Sequence, residues 1–168
     1  MIVLIFPGQG SQKIGMGKSL YENFSKAREV FDEVDDALGF KLSSLMFNGD
    51  INELSLTYNA QPALMATSLA ILRIIEESVS KKLDHLVKMT CGHSLGEFSA
   101  LCASSVISLG DTAKLLKIRG NAMQKAVPKG KGAMAALISN DFSQLDSLLQ
   151  EASTNGICEV ANDNSNEQ

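Results

Sequence analysis

The chain opens on apolar positions without a break. Ile2-Val3-Leu4-Ile5-Phe6 is rich in β-branched residues and is closed by Pro7-Gly8, which predicts a strand running into a turn. A run with no polar alternation fits a strand covered on both faces, as in a parallel α/β sheet. The period then changes. Ala27, Val30, Phe31, Val34 and Leu38 recur at helical spacing, with Gly39 as a stop. Positions 40–60 are interrupted by Asn48-Gly49-Asp50 and read as short helices and loops. Gln61 and Pro62 open a helix over 61–80, with Pro62 in the first turn, where no intrahelical N–H bond is needed. That helix is apolar around much of its circumference, through Ala63, Leu64, Ala66, Leu69, Ala70, Leu72 and Ile75, so it belongs in the core.

A second strand is expected over 87–91. It leads into Gly92-His93-Ser94-Leu95-Gly96 and a small-residue helix over 97–103. Ser108 with Asp111 resembles a capping box, and the helix it starts reaches about Val127. After Gly132 the pattern predicts strand (133–139), helix (142–152) and strand (157–161). The Pro128-Lys129-Gly130 stretch therefore separates two parts, 1–128 and 129–168. The order of elements points to the α/β class.

Composition narrows the function. The 168 residues are 45% apolar and 20% charged, enough for a real core. The balance of 15 Lys+Arg against 19 Asp+Glu, net −4, argues against a nucleic-acid partner held by bulk charge. No apolar run approaches bilayer-spanning length, and no basic stretch precedes the first run as in a signal peptide. The expectation is a cytoplasmic protein without a membrane partner. Three cysteines without a C-x-x-C pair make neither a disulfide framework nor a zinc site, and Cys91 and Cys102 read as small core residues. Two histidines, His85 and His93, argue against a multi-histidine metal site, so no metal is expected.

The sharpest chemical signal is strand, Gly92-His93-Ser94-Leu95-Gly96, helix. This is the G-x-S-x-G nucleophile elbow in the context it requires. A sharp strand-to-helix turn exposes the hydroxyl, and the Leu95 N–H at a helix N-terminus can stabilise an oxyanion. The Gly8–Gln12 loop has two decoys. As a dinucleotide fingerprint it has Lys13 where the third glycine belongs, and as a Walker A loop it has Gln12 where the first belongs. What is left is a glycine loop bringing its backbone and Gln9 near a neighbouring site, or a plain turn. Arg119 borders the stripe Leu109, Ala113, Leu116, Gly120, Met123 and Val127. A guanidinium buried there needs a carboxylate or phosphate; a salt bridge to a protein carboxylate and a side chain that snorkels to solvent are the plainer alternatives to a ligand. His93 adjoins Ser94, but neighbours at a sharp turn point apart, so it supports the site rather than deprotonating Ser94. Lys125, Lys129 and Lys131 form a small basic cluster.

Together, Phe6-Pro7-Gly8-Gln9-Gly10-Ser11-Gln12, Gln61-Pro62-Ala63, Gly92-His93-Ser94-Leu95-Gly96-Glu97 and Arg119-Gly120 resemble the bacterial malonyl-CoA:acyl carrier protein transacylases, in order and approximate spacing. The resemblance implies an α/β-hydrolase-like parallel-sheet core, incomplete here, plus the first half of a ferredoxin-like small subdomain. It implies transfer of a malonyl group from malonyl-CoA to a serine ester, then to the phosphopantetheine thiol of acyl carrier protein, for fatty acid synthesis. No bound cofactor is implied, the coenzyme A thioester being the substrate. Carried over by residue, Ser94 is the nucleophile, and the N–H groups of Gln9 and Leu95 are the oxyanion hole. Arg119 holds the malonyl carboxylate, Gln61 and His93 line the pocket, and Asn162 lies near the site on the small subdomain. The family's catalytic His falls beyond the position of Gln168, so efficient activity by this chain alone is not expected. A carrier-protein-binding module or inactive fragment, and a serine esterase, are the competing expectations.

Overall fold

The computed structural model describes residues 2–82, 85, 87–127 and 130–168. The order is β1 (Val3–Phe6), α1 (Lys18–Asn23), α2 (Ser25–Leu38), α3 (Leu42–Asn48), α4 (Ile51–Leu54), α5 (Thr57–Val79), β2 (Met89–Gly92), α6 (Leu95–Ala103), α7 (Leu109–Ala126) and α8 (Leu145–Ser153). Two compact units contain them, Met1–Lys129 and Gly130–Gln168.

In the first unit β1 and β2 pair in parallel, with Val3 opposite Met89 and Phe6 opposite Gly92. Parallel neighbours need a long crossover, here the helices α1 to α5. The core lies around α5, which is buried continuously from Asn59 to Ala66 and packs on α2 and α7. Leu4 and Phe6 of β1 face this core, and Thr90 Oγ1 donates to the Ala100 carbonyl of α6 at 3.4 Å. The capping box forms as the spacing predicts: Ser108 Oγ accepts from Asp111 N–H at 3.1 Å at the start of α7.

Two expectations about the first unit fail, the start of α5 and the burial of Cys91. Helix α5 begins at Thr57, not at Gln61, so Pro62 sits in its second turn. The first turn is packed: a Cβ on Gly120 would lie 2.6 Å from Tyr58 N, so α7 rests directly on the backbone of Thr57 and Tyr58. Among the described residues the sheet is covered on one face, as an incomplete core leaves it. Strand period and register put Val3, Ile5, Met89 and Cys91 on the other face, where Ile5 is 76% and Met89 61% exposed. Cys91 is accordingly exposed, while Cys102 is buried. Burial pushes the Cys102 thiol above its ordinary pKa, so an alkylating reagent near pH 8 is expected to modify Cys91 about tenfold or more faster than Cys102, read by peptide mass mapping.

The open face has a second measurable consequence. A contiguous apolar patch binds hydrophobic probes, so the protein is expected to enhance 1-anilinonaphthalene-8-sulfonate fluorescence. The double substitution Ile5→Lys, Met89→Lys should cut that signal roughly by half while leaving the far-UV circular dichroism unchanged.

Helices α2 and α3 are joined by a buried carboxylate. Asp35 accepts from Ser43 N–H (2.9 Å) and Ser43 Oγ–H (2.6 Å), with Lys41 Nζ 3.6 Å away. Helix α3 in turn holds the loop after β1, because Gly15 N–H donates to Met46 C=O at 2.8 Å. Asp35→Ala leaves the Ser43 donors unpaired and is expected to cost about 1–3 kcal/mol in denaturant unfolding.

The second unit holds α8 and otherwise irregular chain. The strands expected at 133–139 and 157–161 are absent. An apolar, β-rich run becomes a strand only where a neighbour takes its backbone bonds. Neither segment has a ladder partner among the described residues, and Ile157 is 93% exposed. No helix among the described residues is long and apolar enough to cross a membrane.

Candidate active site

Two residues separate the end of β2 from the start of α6, and Ser94 is the second of them. Its backbone is at φ 55°, ψ −113°, a conformation that strains a non-glycine residue by roughly 1–3 kcal/mol. The flanking glycines make that turn possible. A Cβ on Gly92 would run into the Gly96 carbonyl, and one on Gly96 would meet the Phe6 carbonyl and lie 2.8 Å from Pro7 O. Helix α6 thus approaches both strands more closely than any side chain allows. His93 N–H extends the ladder by donating to Phe6 C=O at 3.1 Å. Gly96 N–H donates to His93 C=O (2.9 Å) and Glu97 N–H to Ser94 C=O (3.1 Å). The Leu95 N–H, bonded to no backbone carbonyl among the described residues, remains a first-turn donor beside Ser94. The Leu95 side chain is buried and anchors the turn.

Ser94 is exposed, and Arg119 reaches it from α7: Nη2 donates to Ser94 Oγ at 2.9 Å. Nη1 of the same guanidinium donates to Gln61 Oε1 at 2.7 Å, and its central carbon lies 5.8 Å from the centroid of the Phe98 ring. Arg119 pairs with no carboxylate among the described residues. Gln61, from α5, is wholly buried, and its Nε2 donates to Met123 Sδ at 3.4 Å. The close seat of Gly120 on α5 sets this geometry, since it places the neighbouring Arg119 over Gln61.

The structure therefore brings Ser94, Leu95, Arg119 and Gln61 together. His93 packs its imidazole on the first loop, since a Cβ on Gly8 would lie 2.7 Å from His93 Nδ1. That loop carries Gln9, which is exposed. Asn162 belongs to the second unit, where it is exposed and outside any helix. In the basic cluster Lys125 and Lys131 are exposed, and Lys129 lies outside the described residues. Two further side chains contribute, Phe98 and Met123. Phe98 lies four residues after Ser94 on α6 and under the guanidinium. Met123 lies four after Arg119 on α7, and that i, i+4 relation was the available signal. Among the described residues no group of three His, Cys, Asp or Glu could hold a metal ion.

A strained serine at a glycine-flanked strand-to-helix turn, with helix N–H donors beside it, has the geometry of a nucleophile elbow of the α/β type. Residues 3–162 match the acyl transferase domain family, and the chain belongs to it. The malonyl CoA-acyl carrier protein transacylase of Bacillus subtilis (strain 168) is 48% identical over 162 residues, covering 96% of this chain and 50% of that protein. The enzyme of that name from Escherichia coli (strain K12) is 39% identical over 161 residues, covering 96% and 51%. Among solved structures, the acyl-carrier-protein-S-malonyltransferase of Bartonella henselae superposes with a TM-score of 0.88 at 54% identity, covering 98% of this chain and 52% of that one. The two-stranded parallel sheet and its helices correspond to part of the α/β-hydrolase-like core of such malonyltransferases. The chain spans about half the length of the relatives it matches.

Proposed function

We propose that this chain carries the acyl-accepting part of a malonyl-transfer site. One observation bears most of the weight: a guanidinium with no carboxylate partner among the described residues lies 2.9 Å from the Ser94 hydroxyl. An acyl group on Ser94 would extend past Arg119, and one ending in a carboxylate would supply the missing partner. In the first step Ser94 Oγ attacks the thioester carbonyl of malonyl-CoA. A C–O bond forms, the C–S bond breaks, and coenzyme A leaves as its thiol. The developing oxyanion would take the Leu95 N–H and, by the family resemblance, that of Gln9. In the second step the phosphopantetheine thiol of acyl carrier protein takes the malonyl group and restores the serine. Support for that partner comes from a solved malonyl-transacylase in complex with a type II PKS acyl-carrier protein, which matches this chain with a TM-score of 0.79 at 39% identity.

No base is assigned here among this chain's residues: by the family resemblance that role falls to a histidine in the other half of the relatives. His93 packs on Gly8, and exposed His85 precedes β2. Without that base acylation is expected to be slow, since oxyanion stabilisation alone retains only part of the rate. His93 supports the first loop, and Asn162 is assigned to the site by resemblance. The setting is fatty acid synthesis in the cytoplasm, without a bound cofactor.

Mass mapping after incubation with malonyl-CoA tests this. The expected result is one malonyl ester, on Ser94, absent from Ser94→Ala. No adduct in a demonstrably folded sample would favour a carrier-protein-binding module. Equal labelling by malonyl and acetyl thioesters would favour an esterase.

A further inference from the structure

We propose that Met123 is a positioning residue for Arg119, acting through Gln61. Arg119 and Met123 are one turn apart on α7 and reach the same turn of α5. Gln61 lies between them and is 0% exposed. A carboxamide has an acceptor end and a donor end. Here Oε1 accepts from Arg119 Nη1 at 2.7 Å, and Nε2 donates to Met123 Sδ at 3.4 Å. Turning the amide over would set its NH2 against the guanidinium donors and its oxygen against the sulfur lone pairs. Both contacts would become repulsive, so the thioether fixes which end of Gln61 meets Arg119.

The type of acceptor matters as well as its position. A carboxylate at 123 would also satisfy Nε2, but it would pair with Arg119 and compete with a substrate carboxylate. Sulfur is uncharged and a weak acceptor. It occupies the amide donor and leaves the guanidinium available. Leucine would fill similar volume and leave Nε2 unpaired in a buried place, which removes the reason for the amide to keep its orientation. Met123 then governs how firmly Arg119 is aimed without touching the acyl group. The relay stands on geometry alone; its effect on selectivity rests on the malonyl-transfer reading.

Two variants of the whole chain test it, Met123→Leu without the acceptor and Met123→Gln with one. The first readout needs no substrate. Nitrogen-15 NMR follows the Gln61 side-chain amide and the Arg119 guanidinium. Met123→Leu is expected to shift both sets of signals and to speed hydrogen exchange at the Gln61 amide about tenfold, and Met123→Gln to restore them. Unchanged signals in a folded Met123→Leu protein overturn the relay. The second readout is competitive labelling of Ser94 by malonyl-CoA and acetyl-CoA. The malonyl preference should fall about tenfold in Met123→Leu and return in Met123→Gln. An equal fall for both thioesters would mean general damage to the site and overturn the proposal. If the parent protein shows no malonyl preference, or no labelling, the malonyl-transfer reading fails and the NMR comparison still decides the relay.

Discussion

Arg119→Ala is expected to erase the preference of Ser94 for malonyl over acetyl thioesters. A hydrogen bond to a charged group contributes about 1.5–3 kcal/mol, and each 1.36 kcal/mol is roughly tenfold in rate. Malonyl labelling of Ser94 should therefore drop about 10- to 100-fold. Acetyl labelling should stay within about twofold of the parent, because an acetyl group offers the guanidinium no carboxylate. Arg119→Lys should not recover the preference: an ammonium keeps the charge but lacks the planar fork that spans Gln61 Oε1 and Ser94 Oγ. Quantitative mass mapping with each thioester separates these outcomes. A parallel fall for both would point to damage through the bereft, buried Gln61 rather than to a lost carboxylate contact.

Gly92→Ala is expected to have the second large effect, on folding and labelling together. Its new Cβ would overlap the Gly96 backbone, which cannot swing aside as a flexible side chain can. Helix α6 would have to move off β2, and overpacking of this kind costs roughly 1–3 kcal/mol, occasionally more. The strained turn that presents Ser94 would relax with it, so labelling should be lost even under conditions where the variant remains folded. Gly110→Ala is the control. Its Cβ would meet only Ala37 Cβ at 3.4 Å, ordinary contact, and in α7 it should be neutral or stabilising by up to about 1 kcal/mol. Chemical denaturation of both variants, followed by mass mapping of the folded fractions, makes the comparison.

The features legible in the sequence are those whose cause is local. Gly92 and Gly96 mark the elbow because the turn itself excludes a side chain there. Ser108 and Asp111 mark the start of α7, and Gly39 ends α2 in the left-handed region at φ 69°, because caps involve residues close in sequence. Features set by distant partners were not legible. The start of α5 at Thr57 lies against Gly120, more than sixty positions away. The apolar runs at 133–139 and 157–161 resemble strands, but strand formation belongs to a pair of segments rather than to one. The run at β1 suggested cover on both faces, and the structure supplies it on one.

The site divides in the same way. Ser94 and Leu95 could be placed from the elbow alone. For Arg119 the residues leave three readings open, a protein carboxylate, a side chain snorkelling to solvent, or a ligand. The family resemblance favoured the ligand, and the described structure supplies no carboxylate beside the guanidinium. Gln61 looked like the opening of a helix, and its amide gains a part only when α5 and α7 pack and set it between Arg119 and Met123. Gln9 and Asn162 entered through the resemblance, since no local pattern distinguishes one glutamine or asparagine in a polar loop.

The most direct test is competitive acylation of the unmodified chain with equal concentrations of malonyl-CoA and acetyl-CoA, read as the ratio of the two esters on the Ser94 peptide. Malonyl is expected in excess by about tenfold or more, with no label elsewhere. A ratio near one, or an ester on any residue other than Ser94, would contradict it.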